Sequence, residues 1–292
     1  MIDYVLALAT ISAVQILLVL GLNFQFGLTG LVNFGQVAFY AIGAYTSALL
    51  TVAGVPTIPA AAAGVGLAVL ASAVVGLSTL RLREDYFAIL TLGFSETVRL
   101  FLLNARDVTN GPIGVSGIPR PLARLAAGHD ALAYFALVAV SALAAFVLCQ
   151  ILAKSPLGRT LRAVRDDDQA AMALGKDVLI FRLTAFGWGA ALASLSGTLW
   201  AHYVTYVVPD QFTPDVTFYA WMAMIIGRPG SMVGAVAGTV GLVAVLESTR
   251  FARDLFPGLD AIHLAAGRQI AIGLGLIVLT VYGGRLGARD AR

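Results

Sequence analysis

Long apolar runs separated by short polar breaks dominate this chain, and they recur on a scale set by a lipid bilayer. A helix needs about 20 predominantly apolar residues to cross one. Runs of that order cover residues 3–22, 31–53, 58–80, 85–104, 131–153, 180–206, 231–250 and 267–283. A further run, 214–228, is short for a full crossing and reads as a re-entrant element or a pair of half-helices, which membranes tolerate where protein or water covers the backbone. Alternation with a period of two is absent over most runs, which argues against an outer-membrane barrel. The pattern predicts an all-α, polytopic transmembrane bundle of about eight to ten membrane segments, forming a single membrane domain over residues 1–292.

One stretch departs from this pattern. In SPLGRTLRAVRDDDQAAMALG, residues 155–175, Arg159, Arg162, Arg165, Asp166, Asp167 and Asp168 crowd together in a chain that is only 12% charged and 59% hydrophobic. Leu157, Leu161, Val164 and Asp168 recur at helical spacing, as do Arg159, Arg162 and Asp166, so one face is apolar and another charged. Such a helix does not lie in lipid. It sits on a membrane surface, either meeting a soluble partner or held by anionic lipid.

Charge then sets an orientation. Arg81 and Arg83 follow the third run, Lys154, Arg159, Arg162, Arg165 and Lys176 follow the fifth, and Arg285, Arg289 and Arg292 come last. Placing these groups in the cytoplasm satisfies the positive-inside rule. The N-terminus then faces outward, the C-terminus inward, and residues 105–130 and 207–215 fall outside; Arg106, Arg120 and Arg124 run against the first of these loops. No Lys or Arg precedes Arg81, so the first run lacks the basic flank of a signal peptide. The net charge of +3 reports topology and gives no reason to expect a nucleic-acid partner.

Few residues suggest chemistry. The single cysteine, Cys149, reads as inert packing, and His129, His202 and His263 have no metal-ligand spacing. There is no GxxxxGK[ST] phosphate loop, and no catalytic residue is assigned. Glu96 and Arg99, three apart on one helical face, either lock two helices together or belong to a translocation path or gate. Gly27, Leu28, Thr29 and Gly30 are placed to break a helix, with Asn33, Gln36, Tyr40 and Tyr45 beyond them. Unwound backbone there lines a path, or the polar side chains serve packing. The path candidates are Gly30, Asn33, Gln36, Tyr40, Glu96 and Arg99. Glu247 is expected to snorkel to the outer interface, and Trp200, Tyr203, Tyr206, Tyr219 and Trp221 to form an interfacial belt. Gly230, Gly234 and Gly238 form a small-xxx-small series, used within the chain or against a second permease subunit. An ion-coupled secondary transporter or channel would use Glu96 as its ion site; an integral membrane enzyme has no motif in its favour.

Several ordered motifs carry a resemblance. GLTGLVNFGQVAFYAIGAYTSALL, starting at Gly27, resembles the N-terminal signature of the branched-chain amino acid ABC importer permeases. LREDYFAILTLGFSETVRL and NGPIGVSGIPRP (110–121) resemble the M-type member of the permease pair. SPLGRTLRAVRDDDQAAMALGKDV resembles the family's cytoplasmic loop, and VVPDQFTPDVTFYAWMAMIIG and GSMVGAVAGT agree in position. Most of residues 15–285 are covered. The resemblance implies an ABC importer permease fold in a bacterial or archaeal inner membrane. It also implies a second, related permease, two ATPase subunits carrying ATP–Mg and an external substrate-binding protein, with no cofactor bound by this chain. The usual cargo is leucine, isoleucine or valine; relatives carry urea, short amides or aromatic and other small carboxylates. Residues 154–178 become a coupling segment, with Leu157, Gly158, Arg159, Leu161, Arg162, Val164, Arg165, Asp166 and Gly175 as coupling residues. In one place the chain departs from the family. A GGLGS-like turn is replaced by Gly227, Arg228, Pro229, Gly230 and Ser231, which adds a charge and stiffens the turn.

Overall fold

A computed structural model describes residues 2–79, 84–121 and 130–255, together with Gly273. The expected span 267–283 otherwise lies outside the described residues, as do Arg81, Arg83, Arg124 and the three C-terminal arginines. The chain runs α1 (Ile2–Thr29), α2 (Gln36–Val52), α3 (Thr57–Thr79), α4 (Glu84–Asn104), α5 (Arg106–Thr109), β1 (Val115–Ser116), α6 (Asp130–Lys154), α7 (Pro156–Asp166), α8 (Asp168–Ala173), α9 (Val178–Val204), β2 (Tyr206–Val207), α10 (Pro214–Ile226) and α11 (Met232–Leu255).

Asp3–Thr29, Thr57–Thr79, Tyr86–Asn104, Asp130–Lys154 and Val178–Val204 are long and apolar enough to cross a membrane. The chain is a multi-pass membrane protein. Two elements are shorter. α10 has 13 residues and extends about 20 Å, against a hydrocarbon core of about 30 Å. α2 has 17 residues and is preceded by non-helical chain. The first span is longer than the apolar run suggested: Gly27, Leu28 and Thr29 stay helical, and the break falls at 30–35. The physical reason is Gly30, whose φ of +73° ends α1 in the left-handed conformation that a side chain disfavours.

α9 is the central post, packed against α1, α2 and α3. Its small residues allow this: a Cβ at Gly197 would collide with the Tyr40 carbonyl, so α2 and α9 meet backbone to backbone. Thr198 Oγ1 donates to the Gly43 carbonyl (3.1 Å) and Ser196 Oγ to that of Val14 (2.7 Å). On the outside of the bundle, Leu70 and Val74 of α3 and Val140 and Leu143 of α6 are exposed aliphatics suited to lipid. Gly234 and Gly238 press on Gly227 and the Ala223 carbonyl, so the small-xxx-small series joins α10 to α11 within the chain. Cys149 is buried.

The two ends of the bundle differ. Around α7 gather the end of α1, the end of α6 and the start of α9, with Val164 packed on Val178. The opposite end carries an antiparallel pair, with Val115 opposite Val207 and Ser116 opposite Tyr206.

Candidate functional site

The break at 30–35 is the first feature with functional geometry. Backbone polar groups inside a membrane need partners, and here buried side chains supply them: Asn33 Oδ1 accepts from the Gly35 amide (2.8 Å), and threonine hydroxyls and an indole serve the rest. Gln25 Nε2 donates to the Phe186 carbonyl (3.1 Å). Asn33 Nδ2 donates to Gln25 Oε1 (3.0 Å) and Gln36 Oε1 (2.9 Å). Gln36 Nε2 donates to the Gly189 carbonyl (3.0 Å) and Trp221 Nε1 to that of Asn33 (3.0 Å). The Phe34 and Val37 amides donate to Thr91 Oγ1 (3.1 Å) and Thr217 Oγ1 (3.0 Å). Gln25, Asn33 and Gln36 are fully buried.

Gly30, Asn33 and Gln36 therefore come together, while Tyr40 lies one turn further on, its ring 5.6 Å from that of Phe212. The amides of Asn33 and Gln36 are spent on the chain itself, which pins the unwound segment without an external ligand. Sequence reasoning passed over Gln25, Thr91 and Thr217; the available signal was an amide side chain inside a 28-residue apolar helix. Trp221 was expected in the interfacial belt. It is buried instead, because its ring nitrogen caps the break.

The second feature is the surface formed by α7 and α8. α7 is amphipathic as its spacing predicts, but its apolar face points inward. Leu161 and Val164 are buried among the chain's own helices, Leu157 packs on the core, and Gly158 sits against the Ala153 carbonyl. These buried side chains leave no free face to offer a soluble partner. Arg162 and Arg165 also reach inward, Arg162 Nη1 to the Ala153 carbonyl (2.9 Å) and Arg165 Nη1 to that of Gly27 (2.7 Å). Asp166 Oδ1 accepts from Arg165 Nε and Nη2 at 3.1 and 3.0 Å.

Facing outward, together with the charged Arg159, Asp166, Asp167, Lys176 and Asp177, is an apolar group that the sequence reading missed. Met172 and Ile180 are each more than half exposed, and Leu174 is 80% exposed. Gly175, at a φ of +75°, turns the chain between them. Asp167 and Asp177 cap α8 and α9, and Asp168 pairs with Arg182 (3.3 Å), fixing the platform.

The third feature lies at the strand-bearing end. Here the two loops expected outside are one structure, joined by β1 and β2 and by the Ile118 amide donating to the Thr205 carbonyl (3.3 Å). His202, fully buried, bridges Ser47 Oγ (2.8 Å) and the Pro119 carbonyl (2.7 Å). Arg120 Nη2 donates to the Tyr203 carbonyl (2.9 Å). Val108, Ile113 and Tyr206 leave an apolar cap exposed. Glu96 and Arg99 belong to this end and not to the break. Arg99 Nε donates to Glu96 Oε2 (3.0 Å), and Arg99 Nη1 lies 3.5 Å from Asp210 Oδ1, tying α4 to the loop before α10. Glu247 accepts from Tyr4 (3.3 Å) between α1 and α11. Among the described residues no group of His, Cys, Asp and Glu forms a metal site.

The chain that folds this way has counterparts among known sequences. The branched-chain amino acid transport system permease component family matches residues 4–281. The high-affinity branched-chain amino acid transport system permease protein LivM of Escherichia coli is 36% identical over 276 residues, 83% of this chain and 63% of that protein. LivM of Salmonella typhimurium is 35% identical with the same coverage. A probable LivM of Methanocaldococcus jannaschii is 25% identical over 261 residues, 77% of this chain and 75% of the relative. The chain thus spans less than two thirds of the length of the two enterobacterial relatives. No solved structure matches. A family match over nearly the whole chain, on a multi-pass bundle, places this protein in the permease-component family of branched-chain amino acid transport systems.

Proposed function

We propose that this chain is the membrane-spanning, non-catalytic permease subunit of an ATP-driven, binding-protein-dependent importer of branched-chain amino acids. The observation that carries the reading is the outward surface at α8, where Met172 and Leu174 stand exposed, with Arg159 of the adjoining α7 and Lys176 also exposed. Apolar side chains this exposed, rimmed by charge at a membrane surface, suit a soluble partner. That partner is the ATPase, with one copy for each permease and ATP–Mg held there. Lys154, Arg159, Arg162, Arg165, Lys176 and Arg182 cluster at this end, which favours placing it in the cytoplasm. The N-terminus is then outside, and the cap of Val108, Ile113 and Tyr206 faces a substrate-binding protein. A second, related permease completes the pathway.

An ion-coupled carrier is less well supported, because its one candidate ion site, Glu96, is already engaged by Arg99. The test is ATP-dependent uptake of labelled leucine into proteoliposomes holding the assembled complex, with binding protein outside. Uptake competed by isoleucine and valine is expected. Stimulation only by urea, amides or aromatic acids would move the cargo, and gradient-driven uptake by the chain alone would overturn the class.

A further inference from the structure

We infer that Arg165 is the positioning residue that passes movement of the surface helix to the break before α2 and to the turn after α10; this rests on the importer reading. α1 ends at Thr29 and leaves its last carbonyls without intrahelical partners. The Phe26 carbonyl is taken by the Gly30 amide (2.9 Å). The Gly27 carbonyl is taken by Arg165 Nη1 at 2.7 Å, across 138 residues of chain. A guanidinium at the negative end of a 28-residue helix makes a charge-assisted bond that the helix dipole strengthens. Asp166 holds Nε and Nη2 of the same guanidinium and so aims Nη1 at that carbonyl.

Gly27 then passes the contact on without an intervening side chain. A Cβ there would strike the backbone of Gly230, so the end of α1 rests directly on the turn between α10 and α11. Asn23, one turn back, clamps that turn: its Oδ1 accepts from the Gly230 amide (2.7 Å) and its Nδ2 donates to the Ser231 carbonyl (3.2 Å). On its other side Arg165 lays its stem against Gly30, the first residue of the break. One side chain of α7 thereby touches the start of the unwound segment that leads into α2 and the turn that follows α10. Arg162 anchors the neighbouring part of α7 to α6 through Ala153. Tight backbone contacts of this kind carry a displacement instead of absorbing it.

Arg165→Met keeps the stem and removes the donors. In the assembled complex the ATPase is expected to co-purify at the wild-type ratio and basal ATP hydrolysis to stay within about twofold, while leucine uptake falls at least about tenfold. Arg165→Lys, which keeps the positive charge and an N–H donor on a similar stem, is expected to restore a substantial part of it. Hydrogen exchange on the same complexes supplies a readout independent of transport: Arg165→Met is expected to speed exchange in 26–38 and 227–235 and leave α3 unchanged. Unchanged exchange in both segments, wild-type uptake by Arg165→Met, or loss of the ATPase from that variant would each overturn the inference. Absence of uptake by the wild-type complex would strike the importer reading alone, since the exchange result still decides the role of Arg165.

Discussion

Arg228 stands in the turn 227–231, where the resemblance leads one to expect a GGLGS-like sequence, and its φ is +67°. The left-handed conformation costs a residue with a Cβ about 1 kcal/mol or more. Glycine removes that cost but gives back part of it through a freer unfolded chain. Arg228→Gly is therefore expected to stabilise the solubilised complex modestly, by up to about 1 kcal/mol, seen as a higher thermal midpoint. Arg228→Ala keeps the strained backbone and should give no gain; an equal gain from both would show that the guanidinium, and not the φ angle, is at fault. Sequence made the departure visible at 227–231 but not its cost, because a backbone angle is not written in residue type. The same holds for Trp221: an aromatic near a loop reads as interfacial until the Asn33 carbonyl beneath it is located.

At the scale of elements, α7 shows what periodicity conveys and what it leaves open. The spacing of Leu157, Leu161 and Val164 marks an apolar stripe, and the helix is where that stripe predicts. Periodicity does not say which neighbour the stripe faces, and here it faces the chain's own helices. The outward apolar group, Met172 and Leu174, lies in a six-residue helix and the turn after it, too short to show a pattern. Burying a leucine is worth about 1.5–3 kcal/mol. Leu174→Asp should accordingly weaken ATPase association by roughly ten- to a hundredfold, measured by co-purification or titration of the ATPase, with the permease still folded. Unaltered association would move the docking surface elsewhere on the α7 end. The span pattern was the most legible part of the fold, including the short α10. The break at 30–35 was legible only in its composition, since its position depends on Gly30 and on partners contributed by α1, α4, α9 and α10: the Gln25 amide, the Thr91 hydroxyl, the Phe186 and Gly189 carbonyls, the Thr217 hydroxyl and the Trp221 indole.

For the whole molecule, the two ends make opposite demands of orientation, and the lone cysteine makes that testable. Cys149 is buried at 1% exposure and should stay silent to a membrane-impermeant maleimide. In intact cells Ile113→Cys is expected to label from outside, whereas Lys176→Cys should label only after permeabilisation; both positions are exposed. The reverse pattern would invert the topology, and with it the proposed faces for ATPase and binding protein.

The amide cluster around the break also bears on how such a protein changes over evolutionary time. Gln25, Asn33 and Gln36 satisfy one another and the adjacent backbone, so the unwound segment does not depend on a particular cargo to hold it open. If the chain works in the importer proposed above, selection for a new nutrient can act on other parts of that assembly while this scaffold stays intact. Drift within the cluster is a different matter: replacing one amide strands several buried groups at once, and a lineage must change them together or not at all.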